Sequence, residues 1–177
     1  MGWSCLLTFE TQGSMDCILM TSTGVAVEFH RSVLAASSGY FDKLFYGQFA
    51  ESKADAIDVQ GNTQTWANIK SLMYKNCLDP SGMGKDVLID TLETLYMYDL
   101  ETFIPSVWGI LSPIQNGATA VRSLRLAGLH RNTPMGLGAM AYIETNIAAL
   151  MCNCEWIKAY ADVLAEIGNV PVEFISK

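Results

Sequence analysis

The order of secondary-structure signals along the chain limits its fold more than any other feature of the sequence. Two short segments rich in apolar and β-branched residues, 17–21 and 25–29, flank Ser22-Thr23-Gly24 and predict a β-hairpin. One more such segment, 56–59, predicts a third strand. The other periodic segments have helical spacing, two of them before this strand and the rest after it. This order predicts an α+β fold, with a small sheet against a helical cluster.

The block FHRSVLAASSGYFDKLFYGQF, residues 29–49, is dense in aromatic, alanine and leucine side chains. Its spacing predicts one short helix and then a second helix, whose wide apolar face holds Tyr40, Phe41, Leu44 and Phe45. His30 and Ser32 raise the alternative of a hydrolase, but no Gly-x-Ser-x-Gly turn surrounds the serine. We therefore expect His30 to be a capping or core residue, Ser32 to lie in a first helical turn, and the chain not to be an enzyme.

Helical spacing continues through 65–74 and 87–98. Asp99 is a candidate N-cap for the helix that follows, and Pro105 within that pattern either kinks the helix or starts another one. Ser112-Pro113 then breaks the pattern. The chain is accordingly divided into a first domain, 1–113, and a second domain, 114–177.

The second domain is predicted to be all-α. Apolar spacing indicates helices over about 117–130, 134–151 and 154–167, the last of which ends at Gly168-Asn169. The segment 171–175 is an apolar tail, which is either a strand or a docking segment.

Composition excludes several classes of function. The 177-residue chain is 50% apolar, so it can bury a core, and its net charge of −7 disfavours a nucleic-acid partner because an acidic surface repels phosphate. No apolar run approaches the length of a membrane span, and the N-terminus lacks the basic region of a signal peptide. We expect an intracellular protein of the cytoplasm, the nucleus or both.

The cysteines favour a reduced chain without cofactors. There are five of them, an odd number at irregular spacings, which is typical of intracellular proteins. Cys152-Asn153-Cys154 invites a metal site, but the chain has only two histidines, both distant in sequence. Buried thiols are the preferred interpretation, and no metal or cofactor is predicted.

The pattern of residues 5–112 closely resembles the BTB/POZ domain. The resemblance is carried by Asp16-Cys17, the hairpin, the run FHRSVLAASSGYF at 29–41 and the pair Glu51-Ser52, followed by helices that match the rest of that domain. It implies the BTB/POZ fold.

The later residues resemble the helical extension of many BTB proteins, called the three-box or the beginning of a BACK domain. This resemblance rests on Asn116-Gly117, on LAGLH at 126–130 and on AMAYI at 139–143, although Gly128 stands where the family usually has aspartate. The arrangement is most similar to the C-terminal half of speckle-type MATH-BTB proteins, and more loosely to BTB-BACK-Kelch proteins.

The resemblance implies a protein–protein interaction module. The leading hypothesis is a homodimeric adaptor that links a target to a cullin-family E3 ubiquitin ligase. The alternative is a stand-alone dimerisation module that pairs with itself or with other BTB proteins and does not bind a cullin. Neither hypothesis involves nucleic acid or a membrane.

The resemblance also assigns residues to a dimer interface. Asp16 and Arg31 match positions that form a charged pocket near the dimer axis, whereas from the residues alone a plain surface ion pair is the alternative. The apolar residues before them match the N-terminal helix that packs across the axis: Leu6, Leu7 and Phe9.

A second surface is predicted to meet the cullin or another partner. Its candidates are Phe49, Met83, Lys85 and Tyr96. Cullin-binding members tend to carry a hydrophobic-x-acidic triplet where this chain has Met83-Gly84-Lys85. Met83 fits the hydrophobic position, whereas Lys85 reverses the acidic charge and favours the dimerisation module.

Overall fold

The computed structural model describes residues 15–47 and 54–168. Within them the chain forms an α+β fold, as the sequence predicts. The strands and helices follow in the order β1 Cys17–Met20, β2 Ala26–Phe29, α1 Arg31–Ser37, α2 Gly39–Tyr46, β3 Ala56–Asp58, α3 Thr63–Lys75, α4 Lys85–Met97, α5 Ile104–Leu111, α6 Gly117–His130, α7 Thr133–Leu150 and α8 Cys154–Ile167. None of these helices is both long and apolar enough to cross a bilayer.

The predicted hairpin is confirmed. β1 pairs antiparallel with β2, and Thr21 accepts a hydrogen bond of 2.8 Å from Gly24, whose φ of 75° suits the tight turn. On its other edge β1 pairs in parallel with β3, so the strand order is β2-β1-β3. A parallel pair needs a long crossover connection, and α1 and α2 lie in that connection.

The chain divides into two compact units, Met1–Val107 and Trp108–Lys177. The helix α5 begins in the first unit and ends in the second. The domain boundary that the sequence predicts near residue 113 stays a prediction.

Aromatic side chains fill the core of the first unit. Trp66, Phe29 and Phe41 have no exposed surface, and Phe41 stacks on Tyr98 with ring centroids 5.5 Å apart. The indole of Trp66 meets the edge of Phe29 at 6.0 Å and lies 5.2 Å from the Tyr98 ring. These four rings join β2, α2, α3 and the end of α4 into one cluster.

Two expectations about the chain between α4 and α5 have clear outcomes. Asp99 is not an N-cap: its φ of 53° places it in the left-handed region directly after α4, and a 3-10 turn at Glu101–Phe103 comes before α5. Pro105 starts a helix rather than kinking one, because it lies in the first turn of α5, where a missing N–H costs little.

The helices of the second unit begin and end within one residue of the predicted positions. Each begins at an asparagine whose side chain accepts hydrogen bonds from the backbone of the first turn: Asn116, Asn132 and Asn153. At Asn116 the bond is reciprocal, since Thr119 also accepts a bond from the Asn116 backbone N–H. These caps fix where each of the three helices begins.

We expect Gly61→Ala to destabilise the first unit more than Gly82→Ala does. Both glycines have positive φ, but a methyl group at Gly61 would lie 3.2 Å from both Trp66 and Thr94, whereas Gly82 faces open space. Backbone strain costs about 1 kcal/mol in each variant, and crowding adds about 1–2 kcal/mol at Gly61 alone. Urea unfolding measures the difference, and equal losses would contradict the tight packing around Trp66.

Candidate protein-interaction site

Asp16 and Arg31 lie side by side because the hairpin register brings the start of β1 to the end of β2. The Asp16 carboxylate accepts a hydrogen bond of 2.7 Å from the backbone N–H of Arg31, the first residue of α1. His30 is the N-cap of α1 but makes no capping bond with its side chain. Asp16 therefore caps this helix from the neighbouring strand.

The Arg31 side chain is directed at backbone oxygens and an aromatic ring. Its Nε donates to the Asp16 carbonyl at 3.2 Å, another guanidinium nitrogen donates to the Ala54 carbonyl, and the guanidinium lies 5.3 Å from the Phe45 ring centroid. Arg31 thus joins the strand, the segment before β3 and helix α2. The role of this pair in a dimer pocket stays a prediction, and Leu6, Leu7 and Phe9 lie outside the described residues.

Cys17 is a buried neighbour of this pair. Burial raises the pKa of its thiol to about 11; the nearby Arg31 lowers the pKa and Asp16 raises it. The thiol therefore stays protonated at neutral pH. It is a core group and not a reactive one.

Met83 lies half-buried in the loop before α4. Its backbone N–H donates to the Pro80 carbonyl at 3.1 Å, while the Asp79 carboxylate accepts a bond of 2.9 Å from the Ser81 backbone. This backbone N–H bond lowers the pKa of Asp79. Gly82 has a φ of 80°, so the loop turns sharply just before Met83.

Lys85 is the first residue of α4, and its side chain is partly exposed. A cation is unfavourable at a helix N-terminus, where the helix dipole favours negative charge. Asp86 in the same first turn has the favourable sign. Lys85 thus gains nothing from the dipole of the helix that it starts.

The other predicted partner residues differ in exposure. Tyr96 is buried with 6% of its surface exposed, so its place on a partner face stays a prediction, and Phe49 lies outside the described residues. Tyr98 is also buried, and its hydroxyl accepts a bond of 2.7 Å from the Gln60 backbone. Burial raises the pKa of that tyrosine, with the Gln60 bond as an opposing influence.

Sequence reasoning missed the exposed apolar side chains of the first unit. Tyr46 is 66% exposed at the end of α2, and Met97 is 56% exposed at the end of α4. Tyr40, predicted on the buried face of α2, is partly exposed and covers the edge of Tyr98 with centroids 5.2 Å apart. Tyr46 lies five residues after Phe41 and one after Phe45, off the buried face, which is a signal that the sequence contained.

His30 and Ser32 lie where the core interpretation places them. His30 is buried, and its Nδ1 is 2.8 Å from the Tyr74 hydroxyl, which also accepts a bond of 2.9 Å from the His30 backbone. Ser32 is exposed in the first turn of α1. The histidine thus belongs to the contact between α1 and α3.

The expectation that Cys152 and Cys154 are buried is wrong. Both thiols are exposed at the turn between α7 and α8, where Asn153 caps the start of α8. In the part of the chain that the structure describes, no three His, Cys, Asp or Glu side chains come together as metal ligands would.

The three-stranded sheet and the aromatic core define a domain of the α+β class. Residues 7–108 match the family described as BTB/POZ domain, which is more than half of the chain. The chain therefore belongs to the BTB/POZ domain family, a family of protein–protein interaction domains.

The relatives found by comparison carry Kelch names. Kelch-like protein 3 of Mus musculus and of Homo sapiens is 24% identical over 151 residues, which is 85% of this chain and 25% of the relative. Kelch repeat protein M-T8 of Myxoma virus (strain Lausanne) is 31% identical over 68 residues, 38% of this chain and 13% of the relative. The chain thus spans about a quarter of the length of the Kelch-like relatives. These proteins are not speckle-type MATH-BTB proteins, so the predicted subfamily is not supported.

We expect Asp16→Ala to lower the free energy of unfolding by about 1 kcal/mol, the usual cost of losing a helix cap. The reason is the 2.7 Å bond from the Arg31 backbone, which alanine cannot accept. Asp16→Asn is the matched control, because it keeps an acceptor oxygen and removes only the charge. Chemical unfolding followed by circular dichroism measures both, and equal losses would show that the charge, rather than the cap, matters.

Proposed function

We propose that this chain is a homodimeric adaptor that links a target protein to a cullin-family E3 ubiquitin ligase. The adaptor itself does no chemistry, and it acts by raising the concentration of the target near the ligase. The observation that carries the proposal is the position of Met83, half-buried in the loop that leads into α4 of a BTB/POZ domain.

Met83 suits a contact with a partner for physical reasons. A methionine side chain is flexible and polarizable, so it adapts to an apolar pocket. The loop around Met83 is held by the bond from its own backbone to Pro80 and by the turn at Gly82, so little backbone freedom would be lost on binding. The resemblance to cullin-binding BTB domains supports a cullin as the partner that contacts Met83.

The homodimer is the second part of the proposal. Asp16 and Arg31 would lie in the charged pocket near its axis, and the Arg31 guanidinium already donates to the Asp16 and Ala54 carbonyls and lies over the Phe45 ring. Leu6, Leu7 and Phe9 would supply the apolar contact across the axis. A fixed guanidinium favours this role, because ordering it on association costs little.

The helices after Ser112 would extend the partner surface as a BACK-like extension, and the adaptor would act in the cytoplasm, the nucleus or both. The three helices α6, α7 and α8 and their order support this assignment.

Lys85 favours a second candidate function. Its charge is opposite to that of the acid that cullin-binding members of the family tend to carry. The dipole of α4 does not stabilise a cation at this position. On this hypothesis the chain is a dimerisation module that pairs with itself or with other BTB proteins and leaves cullins unbound.

The charge at position 85 can be tested directly. We expect Met83→Asp to abolish binding to a cullin N-terminal domain and Lys85→Glu to tighten it about tenfold, because one favourable charge pair contributes about 1.4 kcal/mol. Lys43→Glu, the same charge reversal at an exposed position of α2, is the control and should change nothing. Isothermal titration calorimetry measures the affinities.

The contradicting result is specific. If neither the native chain nor the Lys85→Glu variant binds the cullin domain while light scattering still reports a dimer, the adaptor proposal fails and the dimerisation module remains.

We expect Phe9→Asp to convert the dimer into a monomer, because a carboxylate cannot be buried unpaired in an apolar contact. Light scattering over a range of concentrations measures the molar mass, and circular dichroism checks that the fold is kept. Ser14→Asp, a charge added to the same N-terminal segment at a polar residue, is the control. A dimer that survives Phe9→Asp unchanged would place the interface elsewhere.

A further inference from the structure

The turn between α7 and α8 carries two thiols that the proposed function does not use. Every residue from Met151 to Glu155 is exposed, so Cys152 and Cys154 both meet solvent. The Cys17 thiol, by contrast, is buried in the core of the first unit. Two accessible thiols separated by one residue can form a disulfide within the chain, which a single cysteine cannot do.

The backbone between the two cysteines directs their side chains to the same side. Asn153 has a φ of −113° and a ψ of 107°, which is an extended conformation. In an extended segment, side chains two residues apart point in the same direction, and their Cα atoms lie about 6.5 Å apart. Disulfides join Cα atoms that are up to about 6.8 Å apart. The two sulfur atoms can therefore reach each other when their side chains rotate.

The two thiols differ in what holds them. The Cys152 Sγ donates to the Ala148 carbonyl at 3.4 Å, in the last turn of α7. An S–H group is a weak donor, so rotation away from this carbonyl costs little. Cys154 is the first residue of α8, and its side chain is exposed. Because the Cys152 proton is engaged, Cys154 is the thiol that reacts first.

The residue between the cysteines caps α8. The Asn153 Oδ1 accepts bonds of 3.0 Å from the backbone N–H groups of both Glu155 and Trp156. The Trp156 indole donates to the Gly117 carbonyl of α6 at 2.9 Å and stacks on Tyr160 with ring centroids 5.0 Å apart. Asn153 thereby connects the two thiols to the contact between α6 and α8.

A disulfide between the cysteines is incompatible with this cap. Disulfides favour Cα atoms about 5.5–6 Å apart, which is shorter than an extended residue between them allows. Closing the bond therefore bends the backbone at Asn153 and moves its Oδ1 away from the two N–H groups. The turn has little room for this change, since a methyl group at Gly117 would lie 2.5 Å from Leu150 and 3.0 Å from Trp156.

We propose that Cys152 and Cys154 are a redox modification site, which a hydroperoxide oxidises to a disulfide, and that this disulfide releases the cap of α8. The co-reactant is hydrogen peroxide or an alkyl hydroperoxide. Thiol exchange reverses the modification, as is usual for transient disulfides in reducing compartments. The site involves only residues of the second unit, so it is independent of cullin binding.

The reaction consumes one peroxide for each disulfide. The Cys154 thiolate attacks a peroxide oxygen, the O–O bond breaks, and hydroxide leaves as a sulfenic acid forms on Cys154. The hydroxide takes up the proton that this thiol released. The Cys152 sulfur then attacks the Cys154 sulfur, the S–O bond breaks, and water leaves with the Cys152 proton. Two thiols and hydrogen peroxide thus give one disulfide and two waters, with the sulfurs oxidised and the peroxide oxygens reduced.

Peptide mapping of the full chain tests the disulfide. Trypsin releases residues 132–158 as one peptide, because no lysine or arginine lies between Arg131 and Lys158, and both cysteines are its only ones. After treatment with hydrogen peroxide this peptide should lose two hydrogen atoms and resist alkylation, at a rate independent of protein concentration. Dithiothreitol should restore both thiols.

Two variants accompany this measurement. Cys154→Ser should abolish the mass change, whereas Cys77→Ser should leave it intact, because Cys77 is exposed but far in sequence from any other cysteine. Mass spectrometry would overturn the proposal if both sulfurs stayed open to alkylation, became separate sulfinic acids, or paired across two chains.

Hydrogen exchange followed by NMR tests the release of the cap. In the oxidised chain the amides of Glu155 and Trp156 should exchange at least about fivefold faster than in the reduced chain, the ratio expected for losing a helix cap. The amide of Met135, which Asn132 caps at the start of α7, should not change.

Further variants separate the disulfide from other effects of peroxide. Asn153→Ala in the reduced chain should reproduce the faster exchange, because it removes the same acceptor. In Cys152→Ser, peroxide should leave the exchange rates unchanged, which distinguishes the disulfide from oxidation of methionine. Equal rates in the oxidised and reduced native chain would overturn the release of the cap.

Discussion

The hydrogen-bonded contact of Trp66 with residue 60 is the interaction on which the first unit depends. The indole Nε1 donates to the Gln60 carbonyl at 2.8 Å, and the Gln60 N–H donates to the Tyr98 hydroxyl at 2.7 Å. One peptide segment after β3 thereby fixes both α3 and the end of α4. A buried indole and a buried phenol each need a polar partner, and here both find it in the same backbone residue. This arrangement fixes the positions of the segment after β3, α3 and the end of α4 relative to one another.

The consequence of this arrangement is a surface in two parts. On one side, β1 and α1 are joined through Asp16 and Arg31, whose polar atoms satisfy backbone groups of their own chain. On the other, the loop of Met83 leads into α4, whose inner face lies in the core. The two regions proposed as contact surfaces are thus both attached to the same buried core. Rigid presentation lowers the ordering cost that any partner must offset on binding.

Much of this fold could be predicted from the sequence because the determining signals are local. The 3.6-residue spacing of apolar side chains predicted the helices of the second unit to within one residue, and in the structure asparagine caps fix where these helices begin. The failures concern what spacing does not encode. Asp99 is a residue type that commonly caps helices, but directly after α4 its backbone has a left-handed conformation. Cys152 and Cys154 are of a residue type that is usually buried, but they lie at a turn and are exposed. The position of this turn depends on tertiary packing.

The site could be predicted less well, because the side chains of a partner surface are exposed and do not repeat at the helical or strand spacing that identifies core residues. Charge offers one physical guide. Met1–Val107 contains 13 acidic and 6 basic residues, whereas Trp108–Lys177 contains 5 of each, so the net charge of −7 belongs wholly to the BTB/POZ unit. Lys85 lies close in sequence to Asp79, Asp86 and Asp90, and screening at physiological salt extends over about 8 Å. A single cation beside Met83 therefore makes the potential that a partner meets there less negative than the neighbouring carboxylates alone would make it. On the proposed function, Lys85 affects specificity: it weakens the attraction of a basic partner surface, while the apolar contact of Met83 does not depend on the partner's charge.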